Sequence, residues 1–142
     1  MPSRAKSAAA GAVAATVWGL AEPLDCRLLR SDHRDIAVLG KAFTRGPAWK
    51  PIGYAVHAVN GALFGLAYHE VRAQISTEPR RLALAMAMVE HLALWPAGYL
   101  VDRFHPALGQ RGVPPLLRNG RAFAQQTWRH ALFGFVLGRL AR

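Results

Sequence analysis

The sequence predicts an all-α fold, a four-helix transmembrane bundle that occupies residues 1–142 as one domain. Three observations carry this expectation. Four apolar segments, near residues 7–24, 51–69, 82–101 and 121–140, approach or reach the ~20 residues that a bilayer core requires. Leu, Ala, Met and Gly dominate them while β-branched residues are sparse, which favours helix over strand. Charged residues make up 18% of the chain, below the ~25% usual for soluble domains, and they cluster in the gaps between the apolar segments.

The first segment, Ser7 to Ala21 with its flanks, is Ala-rich and free of charge until Glu22, which reads as an interfacial or helix-end group before Pro23. A competing reading takes Arg4, Lys6 and the Ala-rich run as a leader with Gly19-Leu20-Ala21 at its cleavage point. Cys26 has no partner cysteine and reads as a small buried hydrophobe. The long loop that follows holds a short amphipathic helix, with Ser31 and Asp32 as candidate caps. Ile36, Leu39 and Phe43 lie on its oily side and Arg34 and Lys41 opposite, a pattern that suits a helix lying on the membrane surface.

The second segment starts at Pro51, a residue suited to a first helical turn, and carries only His57 and Asn60 as strongly polar groups. The third places Glu90 and His91 in its middle, and Pro96 should kink it. After it, residues 102–120 are rich in Gly and Pro and read as irregular, with Asp102, Arg103 and His105 at the surface. Asn119 is a candidate cap for the fourth segment, whose polar first half holds Gln125, Gln126, Arg129 and His130.

Glycines recur at four- or eight-residue spacing: Gly53, Gly61 and Gly65 in the second segment, Gly134 and Gly138 in the fourth. Such stripes let helix backbones approach closely in lipid. The same stripes carry His57 and His130. At ~1.5 Å per residue, His57 lies ~9 Å, His130 ~12 Å and His91 ~15 Å from one side of the bundle. An intramembrane cluster of His57, Asn60, Glu90, His91, Arg129 and His130 is therefore expected, built on a Glu90–Arg129 ion pair or serving as a proton or ion path. Ligation of haem or a metal by its histidines is the alternative, though no cofactor is implied outright.

Three short echoes suggest a duplicated two-helix unit. Trp18 precedes Asp25, and Trp95 precedes Asp102, by seven positions. Gly40-Lys41-Ala42-Phe43 parallels Gly120-Arg121-Ala122-Phe123, and Ala-Leu-Phe-Gly occurs at 62–65 and 131–134. An even number of spans puts both termini on one side. The termini and middle loop carry seven Lys or Arg against ten in the two long loops, which favours long loops in the cytoplasm.

The net charge of +10 suits an anionic membrane surface or nucleic acid. Zinc-finger spacing, a basic zipper and RNP-like aromatics are all missing, so a soluble basic helical protein that binds nucleic acid is the lesser reading. No nucleophile elbow, P-loop, dinucleotide fingerprint or zinc-protease motif occurs, so nothing points to an enzyme. Partners in view are the bilayer with its anionic headgroups, a second copy of the chain, or a membrane subunit packed on the glycine stripes.

The stretch AGAVAATVWGLAEPLDCR, residues 10–27, resembles the first span of the YagU-type small bacterial inner-membrane proteins, an apolar run ending in Trp-Gly, an acidic residue and Pro-Leu. EHLALWP, with His91 and Pro96, is similar to that family's third-span His and Pro, and His130 falls where its fourth-span His is expected. The resemblance implies a multi-pass inner-membrane protein and leaves its molecular activity open.

Overall fold

The computed structural model describes residues 2–142, and every regular element among them is helical. They are α1 (Arg4–Leu28), α2 (Asp35–Phe43), α3 (Trp49–Gln74), α4 (Pro79–Leu94), α5 (Gly98–Phe104) and α6 (Gly120–Leu140). A 3₁₀ turn at Trp95–Ala97 joins α4 to α5 where Pro96 interrupts the backbone ladder. Each of the four apolar segments lies on a helix.

Local chemistry sets the ends. Ser3 Oγ accepts from Lys6 N at 3.1 Å, Glu78 Oε2 from Arg81 N at 3.0 Å, and Asn119 Oδ1 from Ala122 N at 3.0 Å. Contrary to the expectation of a helix end near Glu22, α1 runs through Pro23. The proline ring removes the N–H that would have bonded the Gly19 carbonyl, and the Tyr54 hydroxyl donates to that oxygen instead, at 3.1 Å. A hydroxyl on α3 thus lets α1 extend past its own proline.

Helix α2 exists, but its cap does not match expectation. Asp32 accepts from Gly112 N at 2.7 Å and Ser31 accepts from His33 N at 3.4 Å, so neither caps the helix. The Glu22 carboxylate caps it from α1, accepting from Ile36 N at 3.2 Å. One face of α2 is covered by the protein. It packs on α3, where Gly40 meets the Trp49 backbone and Gly53 meets the Ile36 carbonyl, although Phe43 stays exposed.

The long helices form two glycine-packed hairpins. In the first, Gly61 faces the Gly11 backbone and Gly65 faces Ser7, joining α3 to α1. In the second, a Cβ at Gly134 would sit 2.8 Å from Leu84 Cα and one at Gly138 2.7 Å from Arg80 Cα, joining α6 to α4. All five glycines of the stripes are thereby used within the chain. The hairpins meet through α1 and α6, and a small-residue core of Ala10, Ala14, Ala15, Ala83 and Ala87 is filled by Trp18, Tyr68, Phe133 and Leu137. Helices α3 and α4 barely touch, which leaves a cleft.

The echoes that suggest a duplicated unit fall in different structural settings. Gly40-Lys41-Ala42-Phe43 closes α2, whereas Gly120-Arg121-Ala122-Phe123 opens α6. Asp25 lies in a buried ion network, whereas Asp102 accepts from Leu116 N at 2.6 Å and Leu117 N at 3.0 Å and organises the second long loop. His105 likewise is not a bare surface group, since its Nε2–H donates to the Val38 carbonyl at 2.8 Å.

One stretch, Pro79–Phe104, is long and apolar enough to cross a membrane, with only 17% of its most apolar window buried within the protein. The remaining long helices are diluted by polar residues: Glu22 in α1, His57 and Asn60 in α3, and Gln125, Gln126, Arg129 and His130 in α6.

Candidate functional site

Two polar layers meet at Trp18. The lower is centred on Arg129, whose side chain is fully buried. Its fork engages Asp25 through Nε (2.7 Å) and Nη2 (2.6 Å), Asp35 through Nη1 (2.6 Å), and the His33 carbonyl through Nη2 (3.0 Å). Glu22 Oε1 stands 3.5 Å from Nη1. Gln125 Nε2 donates to Asp25 at 2.7 Å, Gln126 Nε2 to Asp35 at 2.6 Å, and Trp18 Nε1 to Asp35 at 3.0 Å. Burial pushes the Asp35 carboxyl up, but His33 and Arg129 beside it outweigh that and hold it well below the usual carboxylate range. Cys26 is buried against this network.

The network corrects the expected Glu90–Arg129 pair. Glu90 is half-buried on α4, and its nearest ionisable partner is His130, with Oε2 3.8 Å from Nε2. Arg129 turns to α1 and α2 because the acids there, Glu22, Asp25 and Asp35, surround its position on α6. Glu22 is correspondingly a buried partner instead of an interfacial group.

The upper layer is a cavity of about 460 Å³ in the cleft between α3 and α4. His57, Asn60, Glu90, His91 and His130 all line it, so five of the six expected residues share one space and Arg129 lies beneath. Trp18 stands edge-on between His57 and His130, with ring centroids 5.0 and 4.6 Å away. His91 lies against His130 at 4.8 Å. His57 Nε2 is buried without a hydrogen-bond partner. Val38 and Leu39 of α2 close one end, and Asp35 and Gln126 reach the floor.

Haem held from both faces by His57 and His130, or by His91 and His130, does not fit as packed. A macrocycle ligated from both faces needs its plane between two rings, but Trp18 fills the space between His57 and His130, and His91 touches His130 directly. Among the described residues no three His, Cys, Asp or Glu side chains converge in a metal-binding arrangement.

Comparison with protein-family models, curated proteins and solved structures finds no match for this chain.

Sequence reasoning passed over the acid side of the network. The signal was present: Trp18, Glu22 and Asp25 are spaced by four and three, one face of a helix, and Gln125 and Arg129 are spaced by four on another. Asp35 and His33, in the loop and at the start of α2, carry no such periodic signal.

Proposed function

We propose that this chain is a small polytopic integral membrane protein of the bacterial inner membrane, with α1, α3, α4–α5 and α6 as spans. Its histidine-lined cavity handles protons or cations. The observation that carries this reading is an inversion of polarity. Arg129, Glu22, Asp25, His33, Gln125 and Gln126 are buried, while Val13, Leu20, Val59, Leu63, Val89, Leu92 and Phe135 are exposed on the long helices. In water that arrangement exposes apolar surface and desolvates charge at the same time; in lipid each half is favourable. Every Lys and Arg except Arg129 sits in a loop, on α2 or near the end of a long helix, where anionic headgroups would meet it. The resemblance of residues 10–27 and 90–96 to the YagU-type proteins points the same way.

Within the cavity, Glu90 at the lip, His130 behind it and His91 beside that form a short series of titratable groups between the outside and the buried network. Such a series is the arrangement that passes protons in membrane proteins. The test has two parts. Carbonate-washed membranes should retain the chain, and its release into the supernatant would end the reading. In proteoliposomes loaded with a pH dye, wild type should collapse an imposed pH gradient faster than Glu90→Gln; equal rates, both matching empty vesicles, would remove the relay.

A further inference from the structure

The hydrogen bonds around the cavity fix what it presents to a ligand. Thr127 Oγ1 donates its one proton to the Phe123 carbonyl at 3.0 Å. It can therefore only accept from His91 Nε2, 2.9 Å away, and neutral His91 keeps a bare lone pair on Nδ1. The Gln126 carbonyl, 2.8 Å from His130 Nδ1, can only accept, so neutral His130 keeps its lone pair on Nε2, the nitrogen that faces Glu90. His57 is more than nine-tenths buried, lines the cavity and leaves Nε2 without a partner. Lone pairs and a carboxylate thus dominate the polar wall.

Charge and shape agree with this. The protein is basic overall, yet the guanidinium beneath the cavity, Arg129, is taken up by Asp25 and Asp35, and the Glu90 carboxyl at the lip has no Lys or Arg partner among the described residues. Trp18, Phe64, Trp95 and Phe133 supply aromatic walls, whose ring faces attract cations. The mouth lies between α3 and α4 at exposed Asn60 and Leu94, beside the outward Val59 and Leu63. An anion would meet lone pairs and the Glu90 carboxyl here, and a wholly apolar molecule would leave His57 unsatisfied.

We infer that the cavity binds a lipophilic ammonium, an amine in its protonated form on an alkyl or aryl-alkyl body, which enters sideways from the bilayer between α3 and α4. This inference rests on the membrane reading above. The ammonium N–H groups meet Glu90 and the bare imidazole nitrogens, and the apolar body lies among the aromatic rings. A space of about 460 Å³ is within the range of sites for small organic ligands.

The test is calorimetric titration of the purified full chain in dodecylmaltoside with 4-phenylbutylammonium, and with 4-phenylbutanol as its neutral match. The ammonium should bind saturably at one site and the alcohol at least about tenfold more weakly, the size a charge-assisted hydrogen bond sets. Glu90→Gln should weaken the ammonium by about tenfold or more. Leu94→Trp, which fills the mouth without touching Arg129, should remove binding while the helical circular dichroism stays unchanged. Equal binding of alcohol and ammonium, or no saturable binding, or wild-type binding by both variants, would each overturn the inference. Carbonate extraction run in parallel separates the two readings. Retention in the membrane without ammonium binding sinks the ligand alone, and release sinks the membrane reading with it.

Discussion

Removing the Arg129 guanidinium should be the most damaging single change to this fold. The side chain is fully buried, so solvent screening offers no relief. Arg129→Met leaves Asp25, Asp35 and Glu22 without the cation they share, three acids on two helices. Breaking a buried pair by deleting one partner costs ~3–5 kcal/mol, a large fraction of the ~5–15 kcal/mol of a typical domain. Arg129→Lys keeps the charge but cannot reproduce a fork that meets Asp25 through Nε and Nη2, the His33 carbonyl again through Nη2, and Asp35 through Nη1; ~2–3 kcal/mol is expected. Adding Asp25→Asn to Arg129→Met should cost less than the sum of the singles by ~1–3 kcal/mol, because the second change removes a charge the first has stranded. Glu90→Gln should cost under ~1 kcal/mol, since Glu90 is half-exposed and its nearest ionisable partner, His130, is 3.8 Å away. Denaturant unfolding in mild detergent, followed by circular dichroism, reads all of these together with the Asp25→Asn single. If Arg129→Met unfolds no more easily than Glu90→Gln, the ion network is not what ties α6 to α1 and α2.

Three further outcomes are expected. Gly61→Leu should destabilise the first hairpin by more than ~2 kcal/mol, because even a Cβ there lies 2.6 Å from the Ala15 Cβ, whereas Gly120→Ala, whose Cβ meets nothing, should be neutral or raise stability by up to ~1 kcal/mol; thermal melts compare them. Asn119→Ala should cost ~1 kcal/mol and speed amide exchange at Ala122, whose N–H the asparagine caps. The Asp35 carboxyl titrates lower in the folded protein than the ~3.9 of an unfolded chain, so the stability it contributes is present above about pH 4 and is lost as pH falls through the folded value. Unfolding curves taken from pH 6 down to pH 3 should therefore fall more steeply for wild type than for Asp35→Asn, and parallel curves would refute the assignment.

The helices were legible because their signals are local. Apolar segments, Pro51 in a first turn, Asn119 as a cap and Pro96 as a break all act within a few residues. The glycine stripes were legible for the same reason, since small residues at four- or eight-residue spacing mark a face that a backbone will approach. What escaped was the choice of partners. Glu90 and Arg129 are the charged residues in the middles of two apolar segments, and pairing them assumes that depth decides. Instead α2 folds back beside α3, its Asp35 accepting from Arg129 and its first turn capped by Glu22. No periodicity in residues 29–48 announces that return. The same fold-back explains why α1 continues through Pro23: the contact with α3 that supplies the Tyr54 hydroxyl is tertiary.

The inversion of charge between inside and outside links these features. A basic protein could have scattered its acids over the surface, where each would pair cheaply with a neighbouring Lys or Arg. Three of its eight Asp and Glu (Glu22, Asp25 and Asp35) are instead gathered around one buried Arg, and a fourth, Glu90, stands at the lip of the cavity. Burying acids beyond the number of available cations is costly unless they take up protons or something else carries a balancing positive charge. A proton on the acid itself is one source. A bound ammonium in the cavity is another, and the two compete for the same carboxylate at Glu90. On the reading proposed above, a fold held together by Arg129 below and carrying Glu90 at its lip takes up cations through the cleft between α3 and α4.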